Sequence, residues 1–132
     1  MKSYGVAGVV LAVGCLLSAP SAVAAPSKFG LEYRVERASS AKLSLDTCLG
    51  VAKRESAKLG YAPAVENRYP GQLAVFASGP AAGGASLMVY CIAVDQKTAF
   101  VVQAIDYSQP NSPAAKRTAD RVHAALLSAS QS

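Results

Sequence analysis

Leu87-Met88-Val89-Tyr90-Cys91-Ile92-Ala93-Val94, then Asp95-Gln96-Lys97, then Ala99 to Tyr107: this stretch decides the fold. Both apolar runs are rich in β-branched and aromatic residues, and the polar triplet between them marks a hairpin. Few polar residues stand on either face of either run. The two strands therefore belong at the centre of a sheet, with both faces at least partly covered. Alternation puts Leu87, Val89, Cys91 and Ala93 on one face, and Met88, Tyr90 and Ile92 on the other.

Upstream, Gly79-Pro80-Ala81-Ala82-Gly83-Gly84 reads as a flexible link. Before it, Ala64 to Tyr69 and Gln72 to Ser78 read as strands joined by a tight reversal at Pro70-Gly71. Earlier still, Ser44 offers a helix N-cap, and Asp46 favours the positive end of the helix dipole. Leu45, Cys48, Leu49, Ala52, Ser56 and Leu59 recur at three- and four-residue steps as an inward stripe. Lys53, Arg54, Glu55 and Lys58 fall mostly outside, and Gly60 stops the helix. Leu31 to Arg37 alternates apolar and charged residues, so Leu31, Tyr33 and Val35 share one face of a half-buried strand.

Downstream, Ser108 to Pro113 is a polar loop, and Ala114 to Ser130 reads as an amphipathic helix with Ala115, Ala119, Val122, Leu126 and Ala129 inward. The order is strand, helix, four strands, helix. That predicts an α+β fold, a mostly antiparallel five-stranded sheet with two helices packed on one face.

Cys48 lies on the buried stripe of the first helix, and Cys91 lies on the strand face that such a helix would cover. A disulfide between them would staple helix to sheet and fix the strand's register. Closing that loop stabilises a fold by about 4 kcal/mol in the chain-entropy model, less any strain. The pair lacks the C-x-x-C spacing of redox or metal chemistry.

A bridge needs an oxidising compartment, and the start of the chain is consistent with one. Met1 and Lys2 are followed by an uncharged run from Ser3 to Ser27. Gly5 to Leu17 is an apolar core too short to span a bilayer, and Ser18, Pro20 and Ser21 break it. Ala22-Val23-Ala24 supplies a small-x-small cleavage triplet. Residues 1–24 are thus expected to be a signal peptide and residues 25–132 a single α+β domain, periplasmic or secreted, with no stable membrane insertion after cleavage. The alternatives are an uncleaved anchor and lipidation at Cys15, where Ala12 departs from the lipobox pattern.

The formal net charge is +5, one unit of it on Lys2. The remaining cations are scattered, with no stripe of the kind nucleic-acid backbones require, so nucleic acid is not an expected partner. His123 stands three residues after Asp120 on the second helix, and a hydrolase would use them as base and orienting acid. No G-x-S-x-G or free cysteine supplies a nucleophile. No H-x-x-x-H, C-x-x-C or calcium loop is present, so neither a metal nor a cofactor is expected. Gly79 to Gly84 lacks a P-loop lysine and leads into a strand, which makes it a connection. Tyr61, Tyr69, Tyr90 and Tyr107 suit either a recognition surface or the rims of the core. Met88, Tyr90 and Ile92 face away from the expected helices, and an apolar face of that kind commonly marks an interface.

The segments Leu31 to Glu36, Ser44-Leu45-Asp46-Thr47-Cys48, Tyr69-Pro70-Gly71, Val89-Tyr90-Cys91 and Ile105-Asp106-Tyr107-Ser108 resemble a family of small exported proteobacterial proteins of uncharacterised function. The resemblance implies export and the cysteine pair, and it implies no activity. The expected function is non-enzymatic: a domain that binds a protein partner or a second copy of itself around Tyr90. A small-molecule binder with a pocket between sheet and helices is the second reading, and a hydrolase using His123 the third.

Overall fold

The structure is a computed structural model that describes Ser21 and residues 28–132. The expected leader, its cleavage site after Ala24, and Cys15 lie outside the described residues. The elements are β1 (Gly30–Ser39), α1 (Leu45–Lys58), β2 (Ala62–Tyr69), β3 (Leu73–Gly79), β4 (Ser86–Val94), β5 (Lys97–Asp106) and α2 (Pro113–Ala129). They form one sheet in the order β1-β5-β4-β3-β2, every neighbouring pair antiparallel. Both helices pack on one face, so the α+β architecture read from the sequence is the one observed, with β4 and β5 inside the sheet.

Local chemistry sets the element ends. The Ser44 side chain accepts the Thr47 amide at 3.0 Å and caps α1. At its other end Gly60 takes φ +75°, which lets the Tyr61 amide reach Ser56 O and the Gly60 amide reach Ala57 O in a Schellman arrangement. Pro70-Gly71 makes the predicted reversal, with Gly71 at φ +71° and the Gln72 amide donating to Tyr69 O at 3.0 Å. The β4–β5 connection is tighter than the triplet suggested, because Val94 pairs directly with Lys97 and only Asp95-Gln96 turn. Asp95 tolerates φ +54° there, since its short polar side chain is one of the few that enter the left-handed region.

The core fills the space between helices and sheet. Phe76, Leu87, Val89, Phe100 and Val102 from the sheet meet Leu49, Ala52, Ala119, Val122 and Leu126 from the helices, all essentially inaccessible to solvent. Burial on this scale is the main source of stability in a domain of this size. The predicted staple is present: Cys48 on α1 is bonded to Cys91 on β4, and both sulfur-bearing residues are buried.

One side chain of α1 and the facing of β1 differ from what their sequence pattern indicates. Glu55 is buried at the contact between α1 and α2 instead of facing solvent. It accepts from Lys58 Nζ at 2.8 Å and Arg121 Nε at 3.1 Å, so the charge enters paired. The alternating residues of β1 divide as expected, but Leu31, Tyr33 and Val35 point away from the helices, while Glu32 and Arg34 point toward them.

Candidate functional site

The uncovered face of the sheet is the candidate site. Cross-strand pairing arranges it in rows. One runs Tyr33, Gln103, Met88, Ala77, Val65; the next Val35, Val101, Tyr90, Val75, Asn67; a third Arg37, Ala99, Ile92, Leu73, Tyr69. Paired residues in an antiparallel sheet project to the same side, so each row is a line of touching side chains. Met88, Tyr90 and Ile92 sit in the middle strand of this face, half-buried by their neighbours. The Tyr90 hydroxyl donates to Met88 Sδ at 2.7 Å, so it is engaged within the face.

Sequence reasoning missed the face's two edges. Tyr33 is 61% exposed, Val35 59% and Tyr69 52%, and Leu31 and Val65 are exposed as well. The same strands put their charges on the helix side, where Arg34 donates twice to Asp120 of α2, at 3.1 and 2.7 Å. Across the sheet, Glu66 pairs with Lys53 at 2.7 Å and Arg68 pairs with Asp46, both partners on α1. Edge strands normally hide apolar residues beneath helices and show charges to water. Here both turn apolar side chains to the uncovered face and, Arg37 apart, their charges to the helix side, where the pairs made by Glu66 and Arg68 still meet water. Alternation in Leu31 to Arg37 was the available signal, but it says which residues share a face and not which way that face looks.

The tyrosines separate. Tyr33, Tyr69 and Tyr90 lie on the open face, whereas the Tyr61 hydroxyl is 3.1 Å from Thr118 Oγ1 on α2, at the margin of the core. Tyr107 packs against Phe29, ring centroids 6.3 Å apart. Two clefts open on the uncovered side: one of about 650 Å³ at the β4–β5 hairpin between Arg37, Val94, Asp95 and Lys97, the other of about 270 Å³ beside Met88 and Gln103. The interval between sheet and helices, where the second reading placed a ligand, holds the core side chains, and a cleft of about 230 Å³ opens at its margin between Leu45, Asp46, Arg68 and Leu73.

His123 and Asp120 are not brought together. Asp120 is engaged by Arg34 and by Lys116 Nζ at 2.6 Å, and these cations hold its carboxyl below the usual range, Lys116 contributing most. His123 is half-buried, its ring tilted against Phe100 with centroids 6.1 Å apart. Among the described residues there is no cluster of three or more potential metal ligands. No helix among them is long and apolar enough to cross a membrane.

Fold and face together define a class: an α+β domain whose helices, one of them disulfide-tied to the sheet, cover one side of it and leave the other apolar and open. The chain belongs to the family of unknown function DUF6180, whose family model matches residues 28–131. No curated protein matches it.

Proposed function

We propose that the protein is an exported, non-enzymatic domain that works by binding another protein over its open sheet face. The observation that carries this reading is the reversed polarity of the two edge strands. Both β1 and β2 present apolar and aromatic side chains to the uncovered side and, Arg37 apart, turn their charges to the helix side, where Arg34, Glu66 and Arg68 pair with Asp120, Lys53 and Asp46. A contiguous apolar surface of this extent commonly marks an interaction site. Tyrosines within it supply large contact area at little entropic cost.

Export is supported by two features: the signal-like pattern of residues 1–24, and a disulfide of the kind that persists only in an oxidising compartment. The test of the binding reading is site-specific photo-cross-linking in producing cells. With p-benzoylphenylalanine replacing Tyr90, a discrete adduct is expected; the same group replacing Arg54, exposed on the helix side, gives none. Absence of an adduct at position 90 overturns the reading.

A further inference from the structure

We propose that the occupant of the open face is a second copy of this chain, packed sheet to sheet about a two-fold axis; this rests on the face being a binding surface.

Extent is the first argument. Five strands at about 4.8 Å spacing, over the six steps from Leu31 to Arg37 at about 3.3 Å each, give a flat footprint of roughly 24 by 20 Å. Accessible surface exceeds its projection, so two such faces together remove at least about 1,000 Å² from water, the lower bound for a specific protein interface.

Chemistry is the second. Across the three central rows Arg37 is the one charged residue. The opposite side of the molecule carries exposed cations on both helices, Arg54, Lys58, Lys116 and Arg117 among them. The surface on a second copy that matches a mostly apolar face, charged only toward one end, is therefore the same face. An isologous contact also uses up both faces and then stops, which a head-to-tail contact does not. Edge-to-edge growth is discouraged at β2 by the bulge and Pro63, since proline cannot donate to a new ladder.

Charge placement selects the axis. Arg37 and Lys97 both lie at one end of the face. A two-fold parallel to the strands would gather the cations of both copies at the same end of the interface. A two-fold running across the strands reverses the ends and sets them over the Leu31 and Ser86 end of the partner. The row holding Val35, Val101, Tyr90 and Val75 then lies at the centre, with the sheets about 10 Å apart.

The experiment is analytical ultracentrifugation of the oxidised protein recovered from exporting cells. Twice the chain mass is expected at about 100 μM, and Tyr90→Asp and Val35→Lys should each weaken dimerisation at least about 100-fold with unchanged circular dichroism. Val35 is exposed within one copy, so its variant reports association even where Tyr90→Asp fails to fold. A bis-maleimide spanning about 10 Å should join Val35→Cys to itself; joining it only to Asn67→Cys overturns the proposed axis. A monomeric wild type, or a dimer indifferent to both substitutions, overturns the self-association. The cross-link at position 90 separates the two readings. An adduct of twice the chain mass supports the dimer, an adduct of another mass overturns it while the binding surface stands, and no adduct overturns both.

Discussion

Ser112 donates its hydroxyl to Asp106 Oδ2 at 2.6 Å, and Ser112 Oγ in turn accepts the Ala115 amide at 3.1 Å, so one side chain ties the end of β5 to the first turn of α2. Ser108 donates to the same carboxylate through both its hydroxyl and its amide. These donors, Ser108 first and Ser112 next, hold the buried Asp106 carboxyl at about 2, below its ordinary 3.8. A carboxyl with a depressed folded-state pKa adds stability above its unfolded value and loses it as pH falls through the folded one. In urea titrations, Asp106→Ala should therefore be destabilised at pH 7, with the gap to wild type closing between about pH 4 and pH 2. Ser112→Ala should cost about 1 kcal/mol as a lost N-cap.

Gly30 sits against the loop that Asp106 organises. A Cβ there would lie 2.9 Å from Gln109 O and 2.9 Å from Ser112 Cβ, and the obstruction is largely backbone that cannot swing aside. Gly30→Ala should lower stability by about 1–3 kcal/mol, the cost of overpacking. Gly50, inside α1, has only the end of the Arg54 side chain nearby, at 3.5 Å. There the change to alanine removes backbone entropy from the unfolded chain and should raise stability by about 0.5–1 kcal/mol. Thermal denaturation of the two variants should move in opposite directions.

Cys48 and Cys91 are 0% and 1% exposed, so reductant reaches their bond only when the domain opens. Native protein should keep its disulfide in millimolar dithiothreitol and lose it rapidly in denaturant, as read by thiol titration. The double substitution to alanine should cost up to about 4 kcal/mol by the loop-closure argument. For a fold whose total stability lies in the range of about 5–15 kcal/mol, that is enough to shift its denaturation midpoint strongly.

Much of this architecture was legible because local chemistry and tertiary context agree. The β4–β5 hairpin, the capped α1, the Pro70-Gly71 reversal and the facing cysteines each carry a signal within a few residues. What stayed hidden depends on partners far away in sequence. Asp106 reads as one more strand residue until the loop returns Ser112 to it. Glu55 belongs to a charged helix face until α2 brings Arg121. Tyr33 and Val35 look like core until Arg34 is seen to need Asp120. The centre of the candidate face, at Met88, Tyr90 and Ile92, was readable from alternation, but its edges were not.

That last pair makes the orientation of β1 testable. With its neighbours unchanged, a one-residue slip of β1 would carry Leu31, Tyr33 and Val35 under α2 and push Arg34 into water. Hydrophobic burial favours the slipped register. Opposing it are the two hydrogen bonds from Arg34 to Asp120 of α2, at 3.1 and 2.7 Å. Asp120 in turn raises the affinity of the guanidinium for its proton, as Glu32 does more weakly. Arg34→Ala removes the anchor without adding bulk. Amides of β1 should then exchange with solvent roughly two- to five-fold faster, the scale of a partly exposed ion pair, while those of β3 and β4 keep their rates. Arg34→Lys should recover only part of the protection, because an ammonium cannot make the forked contact. Uniform acceleration across all five strands would mean instead that Arg34 supports the whole fold and not the facing of its own strand.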